Sequence, residues 1–124
     1  MSLGIVLFAH GSRSAEWAAP FTRIRERVAA RGKNARVTLA YLELMQPDFQ
    51  AAVDELVAQS VERISVVPLF LAAGGHLRND LPQLVDAALA RHPQLRIRVL
   101  PPIGESETLL DAIADWAAAE SLRE

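Results

Sequence analysis

The sequence contains no cysteine, which excludes disulfides and every thiolate metal site and leaves only nitrogen and oxygen donors for any metal. It also lacks a surplus of positive charge. The 13 Lys and Arg stand against 15 Asp and Glu, with no basic tail, so there is no electrostatic footprint for nucleic acid and none is expected as a partner. No apolar run approaches the roughly 18 residues of a membrane span, and Met1-Ser2 leads straight into a strand pattern without a basic leader. The expectation is a cytoplasmic protein that does not engage a membrane. Neither a Gly-x-Gly-x-x-Gly after the first strand nor a Gly-x-x-x-x-Gly-Lys-Ser/Thr occurs, which weakens dinucleotide and triphosphate readings.

What is present is an ordinary globular balance, 51% hydrophobic and 23% charged, in a length suited to one domain over residues 1–124. The chain is organised around Arg63–Asp80. Ile64–Leu71 is a dense, β-branched apolar run, the pattern of a central parallel strand covered on both faces. It passes through Gly74 and Gly75 to His76, with helix entry expected near Asp80, Leu81 and Pro82, so that His76 falls in the crossover loop. The N-terminus repeats the arrangement: a strand over roughly Leu3–Phe8 ends at His10-Gly11-Ser12-Arg13. Two of the three histidines thus follow the ends of two strands.

The other elements alternate. Phe21, Ile24 and Val28 stripe a helix that runs to about Arg31; a strand follows from Arg36 to about Leu42 and ends at Glu43. Gln46-Pro47 is expected to open the second helix, with Ala52, Val53, Leu56 and Val57 inward. A third helix over about Leu81–Arg91 ends at His92-Pro93, where His92 is expected to face water. A fourth strand covers Leu95–Leu100, and Ser106 is a candidate cap for a last helix through Leu109, Ile113, Trp116 and Ala117, with Trp116 expected as a buried helix contact. Strict βα alternation predicts an α/β fold, a four-stranded parallel sheet with helices on both faces, resembling half of a flavodoxin-like sheet. In strand order 2-1-3-4, His10 and His76 face each other across the crevice at the strand ends, with Glu43 reaching the same mouth.

Two imidazoles and a carboxylate suit a borderline divalent ion, Co²⁺, Ni²⁺, Fe²⁺ or Zn²⁺, and the same groups can move protons. The plainer reading has His10 satisfying backbone groups at a strand end and Glu43 as an exposed acid. Around the mouth, Leu42, Leu44, Met45, Phe70 and Leu71 offer apolar contact or belong to the core. Arg13 and Arg78 pair with carboxylates or sit solvated, and Gly74 and Gly75 let the backbone approach a ligand or form an ordinary turn.

Leu7-Phe8-Ala9-His10-Gly11-Ser12-Arg13, the Glu43 that precedes Pro47, and Val67-Pro68-Leu69-Phe70-Leu71 with Gly75-His76 together resemble the short, single-domain sirohydrochlorin chelatases of the class II, CbiX-like group. The resemblance covers nearly the whole chain. It implies the chelatase-like fold and a lyase-type activity: insertion of Co²⁺, Ni²⁺ or Fe²⁺ into a sirohydrochlorin-type tetrapyrrole, on routes to cobalamin, coenzyme F430 or sirohaem. The metal is then a substrate and no organic cofactor is needed. It further implies that His10 and His76 bind metal and accept protons, that Glu43 lies on the metal and proton path, and that the protein is a homodimer. Ala9 stands where many members have glycine, and a histidine-rich segment is absent. A carrier of metal or tetrapyrrole that does not turn over, and a phosphate- or flavin-binding module built on Gly11, Ser12 and Ser14, are the rival readings.

Overall fold

The computed structural model describes residues 2–72 and 74–123, with His76 described by its backbone alone. The elements in order are β1 (Leu3–Ala9), α1 (Ala19–Arg31), β2 (Arg36–Tyr41), α2 (Phe49–Ala58), β3 (Arg63–Pro68), α3 (Gly75–Arg91), β4 (Arg96–Val99) and α4 (Glu107–Ser121). Short 3-10 turns at Ala15–Ala18 and Ile103–Glu105 precede α1 and α4. All strand pairs are parallel, and the order is β2-β1-β3-β4, the order expected from the sequence. In the register Val6 lies between Thr38 and Val66, which in turn lies beside Val99.

Alternation along the strands divides the core into two layers. Val6, Phe8, Ala40, Ile64 and Val66 face α2 and α3, whose Phe49, Ala52, Val53, Leu56, Leu77, Leu81 and Ala88 complete the larger cluster. On the opposite face Leu7, Ala9, Leu39 and Tyr41 pack under Trp17, Phe21 and Val28. Phe8 is fully buried against Phe49, ring centroids 5.6 Å apart and edge to face, so truncating it to alanine costs about 3–5 kcal/mol.

Four expectations are corrected. First, α3 starts at Gly75, not near Leu81, so His76 lies in its first turn and Pro82 lies inside the helix. Pro82 has the sequence look of a first-turn proline, but Leu77 and Leu81 are already buried at helical spacing and draw the helix back to an extended Gly74. Second, α2 starts at Phe49, because the Asp48 side chain accepts from the Ala51 amide at 2.9 Å and caps it there; Gln46 and Pro47 stay in the loop. Third, β3 is covered on one face more than the other: Ile64, Val66 and Pro68 are buried, while Ser65 and Val67 are half-buried. Fourth, Trp116 is not a buried contact. It is 69% exposed, and no residue of α4 is buried. The second and third helices pack on one face of the sheet and α1 on the other.

Candidate functional site

The site is assembled where β1, β2 and β3 end. His10 is the first residue past β1 and is exposed. Its ring stands edge-on to Phe70, centroids 6.4 Å apart at 81°, and Phe70 leans on Phe8 at 6.0 Å. The buried aromatic cluster therefore backs the imidazole from the core side. His10 Nδ1 lies 3.2 Å from the Gly11 carbonyl oxygen, which can only accept, so Nδ1 carries the hydrogen and the neutral ring keeps its lone pair on Nε2. That nitrogen is the one able to hold a metal ion or take a proton.

Pairing between β1 and β2 continues past the strands. The Leu42 amide donates to Ala9 O at 2.9 Å and the Glu43 amide to His10 O at 3.1 Å. Gly11 makes this approach possible: its φ is +99°, and a Cβ there would lie 1.8 Å from the Glu43 carbonyl oxygen. The sequence marks Gly11 as a turn residue; that it is the contact surface for Glu43 depends on a fold-level meeting that no local pattern carries. Glu43 itself is exposed, with its carboxylate at the same edge.

On the third side, the Leu69 amide donates to Phe8 O at 2.8 Å, carrying the chain past β3 to Phe70, Leu71 and the start of α3. His76 thus opens α3 at the edge that holds His10 and Glu43, while its side chain lies outside the described residues. Among the described residues no three His, Asp or Glu side chains form a metal-holding group. The structure brings His10 and Glu43 together directly and leaves the His10–His76 pairing at the level of backbone placement.

The remaining candidates separate by burial. Leu44, at a φ of +67°, is 53% exposed, and Leu71 is 63% exposed; they lie in the segments that follow β2 and β3. Leu42 and Phe70 pack against the larger cluster and Met45 against the smaller, so these three are core residues first. Arg13, Arg78, Gly74 and Gly75 are exposed. Neither glycine needs its conformational freedom: Gly74 has a φ of −69° and a Cβ at either position would meet nothing within 4 Å. They border open space. In the loop after β1, Ser12 Oγ already accepts from the Ser14 amide at 3.1 Å, which removes one N–H from any anion nest there.

A groove of about 400 Å³ lies between α3 and β4, lined by Leu77, Leu81, Val85, Val99, Leu100 and Pro102 among others. His10 and Glu43 are not in its lining, although Pro68 and Arg78 bring it to the same sheet edge. Sequence reasoning also missed a polar clamp far from the site. Asp54 on α2 binds both Arg91 and His92 at the end of α3, with His92 Nε2 2.8 Å from Oδ1, and Gln50 Nε2 donates to Leu84 O at 2.8 Å. His92 is therefore bonded to a carboxylate, not simply turned to water. The His92 hydrogen bond first, then Arg91, holds the Asp54 carboxyl below its ordinary value.

Comparison with known proteins places this geometry. A family model described as CbiX matches residues 4–120. A sirohydrochlorin cobaltochelatase of Saccharolobus solfataricus is 30% identical over 113 residues, 86% of this chain and 87% of that one. A putative cobalamin biosynthesis CbiX protein of Marinobacter aquaeolei superposes with a TM-score of 0.85 at 39% identity, covering 98% of this chain and 99% of the other. The sirohydrochlorin chelatase SirB of Bacillus subtilis subspecies spizizenii, solved with cobalt, superposes at 0.83 and 28% identity over 96% of this chain but 51% of its own. The chain likewise spans only 42% and 43% of the sirohydrochlorin ferrochelatases of Priestia megaterium and Bacillus subtilis, less than half their length. The match of the family model over residues 4–120 leads to one conclusion: the chain belongs to the CbiX family.

Proposed function

We propose that the protein inserts a divalent metal, Co²⁺, Ni²⁺ or Fe²⁺, into sirohydrochlorin or a closely related tetrapyrrole. The observation that carries the reading is the exposed His10 imidazole, backed by Phe70 and tied through its backbone to Glu43 at the open edge of the sheet. Relatives whose sequences match most of this chain are a sirohydrochlorin ferrochelatase and a sirohydrochlorin cobaltochelatase, which supports the substrate class.

The chemistry makes two demands. As the macrocycle takes up the metal with four nitrogens it loses two pyrrole protons, so the protein must present the ion without trapping it and accept protons beside it. His10 Nε2 supplies one neutral donor that binds a borderline ion moderately, and the same atom accepts a proton once the ion has moved on. His76, opening α3 at that edge, supplies the second imidazole, and Glu43 receives protons or balances the charge of the ion. Two imidazoles and one carboxylate are too few donors to saturate the ion, so positions stay open for the ring nitrogens. Leu44 and Leu71 contact the face of the macrocycle, and Arg13 and Arg78 pair with its acidic substituents.

One sheet edge leaves a broad planar ring enclosed on one side only. A second copy of the chain supplies the opposite wall, which makes the working unit a homodimer. The proposal is tested by incubating purified protein with sirohydrochlorin and each ion under anaerobic conditions and following the metallated product optically. Insertion faster than the protein-free control supports the enzyme. Stoichiometric binding of metal or ring with no acceleration points instead to a carrier.

A further inference from the structure

The exposed imidazole of His10 has little of its own to hold it. Among the described residues it has one hydrogen bond, from Nδ1 to the Gly11 carbonyl oxygen at 3.2 Å, and one ring contact, with Phe70. The hydrogen bond goes to the adjacent residue. It selects the tautomer only while the ring faces Gly11, and the terminal torsion of a histidine is broad and two-fold. A fixed reference for the ring has to come from elsewhere in the chain. Phe70, just past β3, is that reference, with its centroid 6.4 Å from the imidazole and the two planes at 81°.

Phe70 is itself held from three directions. Its ring leans at 6.0 Å on Phe8, which is fully buried. Ahead of it, the Leu69 amide donates to Phe8 O at 2.8 Å; behind it, the Phe70 carbonyl accepts from the Gly104 amide at 3.1 Å. Gly104 lies in the 3-10 turn Ile103–Glu105, and a Cβ there would stand 1.5 Å from the Leu71 carbonyl oxygen. Glycine therefore lets this turn seat directly on the Phe70-Leu71 backbone. The turn is closed in its own right by the Glu105 amide donating to Pro102 O at 2.9 Å and the Ser106 amide to Ile103 O at 3.1 Å. Clamped to β1 on one side and to this turn on the other, Phe70 remains half-buried and presents its ring to His10.

A phenyl ring cannot ligate a metal ion through a lone pair or take a proton, so what Phe70 contributes to the reaction passes through its neighbour. We propose that Phe70 is a positioning residue that holds the His10 ring against Gly11, keeping Nε2 unprotonated and aimed at the incoming ion. Aim matters because a displacement of about 1 Å at a reacting group can cost about 10²-fold in rate. The effect on rate rests on the insertion reading above, whereas the orientation of the ring is a property of the chain without metal or substrate.

The test uses the full chain, first free of metal and above the pH range in which imidazole titrates, where long-range proton–nitrogen NMR spectra distinguish the two neutral tautomers of His10. The unsubstituted protein should show the Nδ1–H form. Phe70→Leu, which keeps an apolar side chain, should move His10 toward the tautomer mixture of an unrestrained side chain. Gly104→Ala, which keeps Phe70 but displaces its backbone, should do the same; if that chain does not fold, the Phe70 variants decide alone. In anaerobic Co²⁺ insertion, Phe70→Leu should lower kcat about 10-fold or more while KM for sirohydrochlorin stays within about twofold. Phe70→Tyr, which keeps the aromatic edge, should retain both the tautomer and the rate. The proposal is overturned if the unsubstituted protein already shows an unrestrained His10, if Phe70→Leu leaves the His10 signals unchanged, or if Phe70→Tyr behaves like Phe70→Leu. A raised KM with unchanged His10 signals would assign Phe70 to contact with the macrocycle instead. An unsubstituted protein that inserts no metal, while Phe70→Leu still shifts the His10 signals, would retire the insertion reading and leave the orienting contact in place.

Discussion

The backbone amide of Glu43 donates to the carbonyl of His10 at 3.1 Å, and Gly11 is the residue that lets the two segments come this close. The backbones that carry the carboxylate and imidazole proposed for metal and proton handling are thereby held side by side. Several consequences can be measured.

Gly11→Ala is expected to cost both stability and activity. Alanine at a φ of +99° is strained, and its methyl would overlap the Glu43 carbonyl oxygen, so separation of the two segments is the only relief. A loss of at least about 1–3 kcal/mol in urea unfolding is expected. Gly74→Ala is the control: its methyl meets open space at a φ any residue adopts, and stability should stay within about 0.5 kcal/mol.

Glu43→Gln removes the negative charge while keeping the backbone bond to His10. Turnover should fall while the dissociation constant for the tetrapyrrole, read by fluorescence quenching, changes little. Equal losses in both would assign Glu43 to ring positioning and remove it from the proton path.

The Asp54 clamp makes a prediction about acid stability. The His92 and Arg91 partners lower the folded-state pKa of Asp54 beneath its ordinary value of 3.8, so its contribution is present above that value and is lost as pH falls through the lower folded value. The carboxylate is 43% exposed and solvent-screened, so the contribution is small, about 0–1 kcal/mol. Asp54→Asn should therefore lower the melting temperature slightly at pH 6, and the difference from the unsubstituted protein should shrink at pH 3. A difference independent of pH would mean the clamp acts through shape and not charge.

Much of this was legible in the chain because the βα alternation is regular and the strands are unbroken apolar runs; those patterns are sufficient to predict the sheet and bring residues 10, 43 and 76 to one edge. The start of α3 was not, because Pro82 carries a strong local signal for a first turn while the burial of Leu77 and Leu81 that overrides it is a property of the packed core. Trp116 shows another limit. A helical stripe states that something must cover it, and its period is the same whether the cover is the chain's own sheet or another molecule. The Asp54 clamp joins residues 37 and 38 positions apart on helices whose facing is set by packing, so neither member stands out in sequence.

The central claim is that His10 and His76 serve one ion at the sheet edge, and the most direct test is the initial rate of anaerobic Co²⁺ insertion into sirohydrochlorin by the unsubstituted protein, His10→Ala and His76→Ala, corrected for spontaneous insertion. With folding verified for each variant, both substitutions are expected to lower the rate by about 10²-fold or more. Folded variants that keep near-unchanged rates would contradict the assignment of the two imidazoles to the reaction.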